Sequence, residues 1–354
     1  MTVTALGLPS VLRRTDGTEP AVPADGPLVD SYGRVATDLR VSLTDRCNLR
    51  CTYCMPADGL DWLPTDQLLR PDELTRLLRI AVTRLGITSV RFTGGEPLLV
   101  KRLEEIVAAT ARLRPRPEIA LTTNGVGLAV RAADLARAGL DRVNVSLDSV
   151  DAARFAAITR RDRLTDVLEG LAAARAAGLG PVKVNAVLDP LTGRDDAVAL
   201  LRFCLEAGYQ LRIIEQMPLD AEHRWRRGEA LTADEVLAAL ARHFSLQPDK
   251  APRGSAPAEL WQVDGGPATV GVIASVTHAF CSDCDRTRLT ADGQVRSCLF
   301  ATEETDLRGL LRAGADDGAV EAAWRAAMWA KPAGHGINAP NFVQPARPMS
   351  AIGG

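Results

Sequence analysis

The chain has 354 residues, 46% of them apolar and 24% charged, which is enough apolar material for a sizeable core and excludes bulk disorder. With 42 Lys and Arg against 44 Asp and Glu, the net charge of −2 excludes a broad polycationic surface of the nucleic-acid-binding kind. No apolar run approaches the roughly 20 residues needed to cross a bilayer, and no long apolar stretch follows Arg13-Arg14. Neither membrane nor export is therefore expected, and the chain reads as cytoplasmic.

Residues 1–32 are rich in Pro and Gly, lack periodicity, and are expected to form a flexible leader. From there β-rich runs are predicted at Leu39–Leu43, Ser89–Thr93, Ile119–Thr123, Arg142–Leu147, Val182–Leu188 and Leu211–Gln216. Helical patterns alternate with them at Asp72–Leu85, Val100–Leu113, Ala129–Ala138, Leu164–Ala177 and Asp195–Glu206, several stopped by a glycine. Strands alternating with helices call for a parallel sheet with right-handed crossovers. The expected fold class is α/β: a partial (β/α)6 barrel of the TIM type over residues 33–218. No G-x-G-x-x-G follows the first strand, which weighs against a dinucleotide fold. Past Met217-Pro218 the pattern breaks into a helix at Ala233–His243, short β runs at Leu260–Val263 and Thr269–Ala274, and an Ala-rich helix near Val320–Met328. Residues 219–344 are read as a smaller C-terminal region and 345–354 as a tail.

The seven cysteines are an odd number in a chain without an export signal, which favours metal or catalytic use over disulfides. They fall into two triplets and a singleton, Cys204, whose place between Phe203 and Leu205 suits a small buried apolar residue. Cys47, Cys51 and Cys54 are spaced C-x3-C-x2-C directly after the first predicted strand. Three thiolates in one short loop can hold a four-iron cluster with one iron left open, or a zinc ion that borrows a fourth ligand.

Cys47–Cys54, with Tyr53 before the last Cys, resembles the signature of the radical S-adenosylmethionine (SAM) enzymes. The resemblance implies a 4Fe-4S cluster whose open iron chelates SAM, and cleavage of SAM to methionine and a 5′-deoxyadenosyl radical. Gly94-Gly95-Glu96-Pro97 after the second strand is similar to the family's segment that contacts the methionyl amine. Ser146, ending strand four, and Met217, past strand six, match further SAM-contacting positions.

Cys281, Cys284 and Cys298 are spaced C-x2-C-x13-C, and His278, three residues upstream, would complete a Cys3His zinc site. A second three-Cys set nevertheless repeats the open-iron arithmetic of the first. Asp285-Arg286-Thr287-Arg288 follows Cys284 directly, and two arginines at i and i+2 share a face in extended chain and suit phosphate oxygens. Together the triplets and this segment resemble the GTP 3′,8-cyclases of molybdenum cofactor biosynthesis, a family of radical SAM lyases, from about Tyr32 to the end of the chain.

That resemblance implies two 4Fe-4S clusters, SAM as cofactor and GTP as substrate, with the guanine on the open iron of the second cluster. The product is (8S)-3′,8-cyclo-7,8-dihydroguanosine 5′-triphosphate, a precursor of cyclic pyranopterin monophosphate. Arg40, Arg91, Thr122, Lys183 and Arg286 to Arg288 match the family's GTP-contacting positions, and Arg212 is a further phosphate candidate. Lys183, one of only four lysines, shares a strand face with Asn185 by alternation. The terminal Gly353-Gly354 is similar to a diglycine tail that reaches the active site and assists catalysis. Expected partners are an external electron donor, a second copy of the chain as a homodimer, and the downstream cyclic pyranopterin monophosphate synthase by product hand-off. Nucleic acid and membrane are excluded. Two other readings remain open: a radical SAM enzyme whose second cluster serves modification of a peptide or other small molecule, and a zinc-ribbon binding module.

Overall fold

The computed structural model describes residues 21–353. The first part begins with β1 (Asp38–Ser42), α1 (Pro71–Thr83), β2 (Ser89–Thr93), α2 (Leu103–Ala111), β3 (Glu118–Thr123) and α3 (Leu128–Ala138). It continues through β4 (Arg142–Ser146), α4 (Ala152–Thr159), α5 (Leu164–Ala176), β5 (Lys183–Val187), α6 (Gly193–Ala207) and β6 (Gln210–Ile214). The remainder begins with α7 (Ala233–Leu240), β7 (Leu246–Pro248), β8 (Glu259–Val263), β9 (Thr269–Ile273) and β10 (Arg286–Leu289). It ends with β11 (Gln294–Arg296), β12 (Thr305–Asp306), α8 (Leu307–Arg312), α9 (Asp317–Trp329) and α10 (Met349–Ile352).

The six predicted strands all form, and they lie side by side and parallel in chain order from β1 to β6. Their odd and even positions divide cleanly. Leu39, Val41, Val90, Phe92, Ile119, Leu121, Val143, Val145, Val184, Leu211 and Ile213 are fully or almost fully buried in the main core with the helices. The alternate positions, among them Arg40, Arg91, Thr122, Ser146, Asn185 and Arg212, share the opposite face. Each crossover helix turns its apolar stripe to the first face; α1, for example, begins with Pro71 at its first position, is capped by Glu73, and buries Leu74, Leu77, Leu78 and Ala81. Helix α4 was not predicted: it is started by Asp151 accepting from the Arg154 N–H at 2.9 Å, and it buries Phe155 and Ile158.

The C-terminal region differs from the expected appendage. Residues after 218 build no separate sheet; they extend both edges of the first one. β9 pairs parallel with β6, and β10 pairs parallel with β1 with Arg40 opposite Arg288. The antiparallel strands β8 and β7 then lie outside β9, and β11 and β12 outside β10, giving one twelve-stranded sheet. The physical reason is that bare β1 and β6 edges would leave rows of unpaired N–H and C=O groups. Among the described residues no pairing joins the two outermost strands, so the sheet is open.

Of the expected leader, residues 1–20 lie outside the described residues. Residues 28–32 are packed, contrary to expectation. Leu28 is fully buried and its N–H bonds to the Leu85 carbonyl at 3.1 Å. Val29 bridges to Val35 around a turn in which the Asp30 carboxylate accepts from the Tyr32 and Arg34 N–H groups. One well-placed leucine outweighs the loop-like composition around it.

Candidate functional site

The inner face of the sheet lines one cavity of about 320 Å³ that is touched by all six cysteines of the two triplets. Strand polarity places the triplets at opposite ends of it. Cys47, Cys51 and Cys54 follow β1, beyond the C-terminal ends of the parallel strands. Cys281 and Cys284 precede β10, whose Arg286 is level with Asp38 at the start of β1. The thirteen-residue gap to Cys298 is the length of the β10–β11 hairpin: Arg288 faces Arg296, so the returning strand brings Cys298 back to the end from which Cys284 started. A five-residue strand spans roughly 15 Å, which sets the order of the distance between the two ends.

The first loop is held by its surroundings. The Arg50 and Thr52 N–H groups donate to the carbonyls of Thr159 and Ile158 at the end of α4, and Arg50 Nη1 donates to the Cys47 carbonyl at 2.7 Å. Gly95 sits against the same loop: its N–H bonds to Thr44 O at 2.7 Å, and a Cβ there would lie 2.4 Å from the carbonyl oxygens of Asp45 and Arg46. The expectation gave this glycine to ligand approach; it is equally demanded by the cysteine loop behind it. Glu96, fully buried, accepts from Leu98 N, Thr123 Oγ1 and Asn124 N at 2.7–2.8 Å, and burial lifts its carboxyl to about 7. Asn124 in turn reaches Cys47 Sγ at 3.7 Å. Tyr53 donates to Asp148 at 2.8 Å, and burial raises that carboxyl to about 6. Ser146 and Met217 also line this part of the cavity. Burial pushes the thiols of Cys51 and Cys54 up, Cys54 to about 12. At the far end burial likewise lifts Cys281 to about 11. Burial raises Cys284 too, but Lys331 and Arg286 outweigh it and bring that thiol to about 7.

Between the ends stand the cations. Arg40, Arg91, Arg212, Arg286 and Arg288 line the cavity, each from a different strand except the last two. The Asp38 carboxylate is the acidic neighbour, 3.8 Å from Arg40 and 3.9 Å from Arg91. Burial opposes its ionisation, yet the four guanidiniums of Arg40, Arg91, Arg286 and Arg288 hold it below the usual carboxylate range. The arginines pay the converse electrostatic cost. Burial and mutual repulsion bring Arg91 and Arg288 to about 9 and Arg212 to about 10. The Nε atoms of Arg40, Arg91 and Arg286 are buried without a hydrogen-bond partner. Buried, mutually repelling donors with open hydrogen-bonding capacity suit a polyanionic ligand.

Two expected cradle residues stand elsewhere. Thr287 faces away from the cavity: it is fully buried on the helix side, where its Oγ1 accepts from Trp324 Nε1 at 3.1 Å. Strand alternation requires this, since Arg286 and Arg288 hold the inner face. Lys183 does not line the cavity itself. It lies two residues before Asn185 on the same face, where burial and the charges of Arg212, Arg142 and Arg91 lower its ammonium to about 7. Thr122 lines the cavity and accepts from Asn144 at 3.3 Å. Gly353, behind α10, accepts from Arg288 at 2.8 Å, and Ser350 on α10 lines the cavity together with Cys54; Gly354 lies outside the described residues. Cys204 is a core residue, as expected.

Sequence reasoning missed Asp148, Asn124, His335 and Ser350, all of which line the cavity. For Asp148 a signal existed, because it continues the alternating face of Arg142, Asn144 and Ser146. His278, the fourth zinc ligand the sequence suggested, turns to Asp234 at 3.8 Å with more than half its side chain exposed. Among the described residues no three Cys, His, Asp or Glu side chains converge as a single metal ion requires.

Comparison with known proteins agrees with this layout. The Radical SAM superfamily profile matches residues 41–204, and the Molybdenum Cofactor Synthesis C profile matches residues 209–337. The GTP 3′,8-cyclase of Mycobacterium marinum is 78% identical over 100% of both chains. The chain belongs to the GTP 3′,8-cyclase family. GTP 3′,8-cyclase 2 of Mycobacterium tuberculosis is 77% identical, and the Mycolicibacterium smegmatis enzyme 75%, again over 100% of both chains. Among solved structures, Streptococcus suis SuiB bound to S-adenosylmethionine superposes with a TM-score of 0.57 at 14% identity, over 80% of this chain and 66% of that one. That likeness shows the α/β fold, and the profile match over residues 41–204 makes it the radical SAM one. No helix among the described residues is long and apolar enough to cross a membrane.

Proposed function

We propose that this chain converts GTP to (8S)-3′,8-cyclo-7,8-dihydroguanosine 5′-triphosphate, the first step of molybdenum cofactor biosynthesis, by radical SAM chemistry. The observation that carries the proposal is the single cavity with three thiols at each end and, between them, buried arginines of which three keep an Nε without a hydrogen-bond partner. Both triplets fit a cluster rather than a lone ion. Each supplies three soft sulfur donors, and a bound metal centre would offset the burial that opposes ionisation of Cys47, Cys51, Cys54 and Cys281. Cys47, Cys51 and Cys54 would hold the first 4Fe-4S cluster, and Cys281, Cys284 and Cys298 the second. With SAM on the first, the bound cofactors would supply the radical chemistry that acts at ribose C3′.

The protein's own part is placement and shielding. Tyr53, Gly95, Ser146 and Met217 lie where SAM would extend from the first triplet, with Asp148 fixing the Tyr53 ring. Arg40, Arg91, Arg212, Arg286 and Arg288, with Lys183 behind them and Thr122 beside them, would neutralise and orient the triphosphate, which offsets their mutual repulsion. The guanine would then reach the second triplet while the ribose faces the first. Gly353 bonds Arg288 and follows the helix that covers Cys54, so the tail closes the cavity toward solvent. We read the sheet, whose strands line one cavity from β10 across to β9, as a partial (β/α)6 barrel. An external one-electron donor, a cytoplasmic setting, a homodimer and hand-off to the cyclic pyranopterin monophosphate synthase belong to the same reading.

The test is an anaerobic assay of the reconstituted chain with GTP, SAM and dithionite. GTP should disappear only when all three are present, with 5′-deoxyadenosine formed alongside. Roughly eight irons per chain with matching sulfide are expected for two four-iron clusters. About two zincs without acid-labile sulfide would defeat the reading, and SAM cleavage indifferent to GTP would favour a peptide or another small molecule as substrate.

A further inference from the structure

Lys331 lies two residues beyond α9, is 3% exposed, and is one of four lysines in the chain. Its ammonium group makes three contacts: to the Arg286 carbonyl at 2.9 Å, the Cys284 carbonyl at 3.2 Å and the Cys284 sulfur at 3.4 Å. Three donors thus meet three acceptors. Among the described residues no carboxylate pairs with it, so its only anionic candidate is the sulfur it touches. Arg286 Nη1 approaches the same sulfur at 3.6 Å.

The neighbouring Arg34 shows what a purely structural cation looks like in this region. Its Nε donates to the neutralising Asp30 carboxylate at 2.5 Å, and its Nη atoms donate to the backbone carbonyls of Cys281, Pro332 and Ala333. Arg34 therefore fastens the loop without touching a sulfur. Lys331 fastens the loop too, yet it carries an uncompensated charge to one sulfur of the three.

We propose that Lys331 is a positioning residue for the second triplet whose buried positive charge raises the reduction potential of the cluster held there. This rests on the two-cluster reading above. A cation against a ligand sulfur lowers the energy of the more negative, reduced cluster more than that of the oxidised one. Cys284 is thereby made unlike Cys281 and Cys298, and the electron distribution of the cluster is biased toward the side that faces Lys331.

The experiment is an anaerobic redox titration of the full-length holoenzyme followed by electron paramagnetic resonance. The first cluster is identified as the one whose signal SAM alters. Lys331→Met and Lys331→Gln should move the other cluster's midpoint negative, by about a tenfold drop in the reduced-to-oxidised ratio at fixed potential, about 59 mV for one electron. Lys331→Arg should restore most of the shift. If Lys331→Met fails to retain the second cluster's iron, Lys331→Gln, which keeps a donor without charge, carries the measurement. A second cluster whose midpoint is the same in the parent and the neutral variants overturns the role of Lys331 alone. A parent that shows no second cluster overturns both this proposal and the two-cluster reading.

Discussion

Arg288 donates to the carbonyl oxygen of Gly353 at 2.8 Å, so the cation cluster holds the end of the chain as well as facing the cavity. Gly353 has φ of +84°, and a Cβ there would lie 2.8 Å from Thr93 Cγ2 and 3.0 Å from Ser42 Cβ. Only glycine fits that position without displacing β1 or β2. Deleting Gly353 and Gly354 should leave both clusters and SAM binding intact and lower cyclisation about 100-fold or more, the scale of a misplaced reacting group. Iron analysis, SAM binding and product formation measured on one preparation check this. Full turnover by the truncated chain would refute it.

The lowered ammonium of Lys183 gives GTP binding a pH dependence. In the free protein this group titrates near about 7, because burial and the charges of Arg212, Arg142 and Arg91 disfavour its protonated form. A triphosphate favours that form and moves the titration upward, so binding takes up a proton between the two values. Affinity should therefore fall as pH rises above 7, by up to about tenfold per pH unit. Calorimetry in buffers of different ionisation enthalpy would register the proton, and Lys183→Met should lose the slope. A parent with flat affinity from pH 6.5 to 9 would contradict the assignment.

The Arg286-Thr287-Arg288 segment should separate into two phenotypes. Arg286→Ala or Arg288→Ala is expected to weaken GTP binding by tenfold or more, on the order of the 1.5–3 kcal/mol of a charged hydrogen bond. Thr287→Val removes only the acceptor for Trp324 Nε1 on the far side of the sheet. It should cost about 1–3 kcal/mol of stability and leave nucleotide affinity unchanged. Thermal melts and nucleotide titrations of the three variants would tell the faces apart.

Gly95→Ala should damage one cluster selectively. Its Cβ would sit 2.4 Å from two carbonyl oxygens of the loop that leads to Cys47. The second triplet stands at the opposite strand ends. Reconstitution should therefore yield about four irons per chain instead of about eight, with SAM binding lost. Retention of the full iron complement would show that the loop absorbs the clash.

Much of the inner face was legible because period-two alternation is a property of sequence. Arg40, Arg91, Thr122, Asn185 and Arg212 stand at polar positions between valines, leucines and isoleucines, and they line the cavity. The same rule, applied to Arg-Thr-Arg, would have turned Thr287 outward; treating the three as one motif concealed it. Asp148 obeyed the rule and was overlooked because it lies past the strand end. His335, Lys331 and Ser350 could not be found this way. His335 and Lys331 come from irregular chain after α9 and Ser350 from the single turn of α10, where no repeat encodes direction. The allegiance of β9 and β10 was also hidden, since short strands do not announce which edge they will join.

The two-edged placement of β9 and β10 bears on how the chain could be divided. A fragment ending near Pro218 would contain every residue of the first cysteine loop and all six consecutive parallel strands. It would also expose β1 and β6 as two long, naked templates for strand addition, one on each flank. Such a fragment is expected to self-associate edge to edge rather than survive as a minimal SAM-cleaving unit. The later half of the chain is in this sense a pair of selvedges woven onto a cloth that would otherwise fray from both sides.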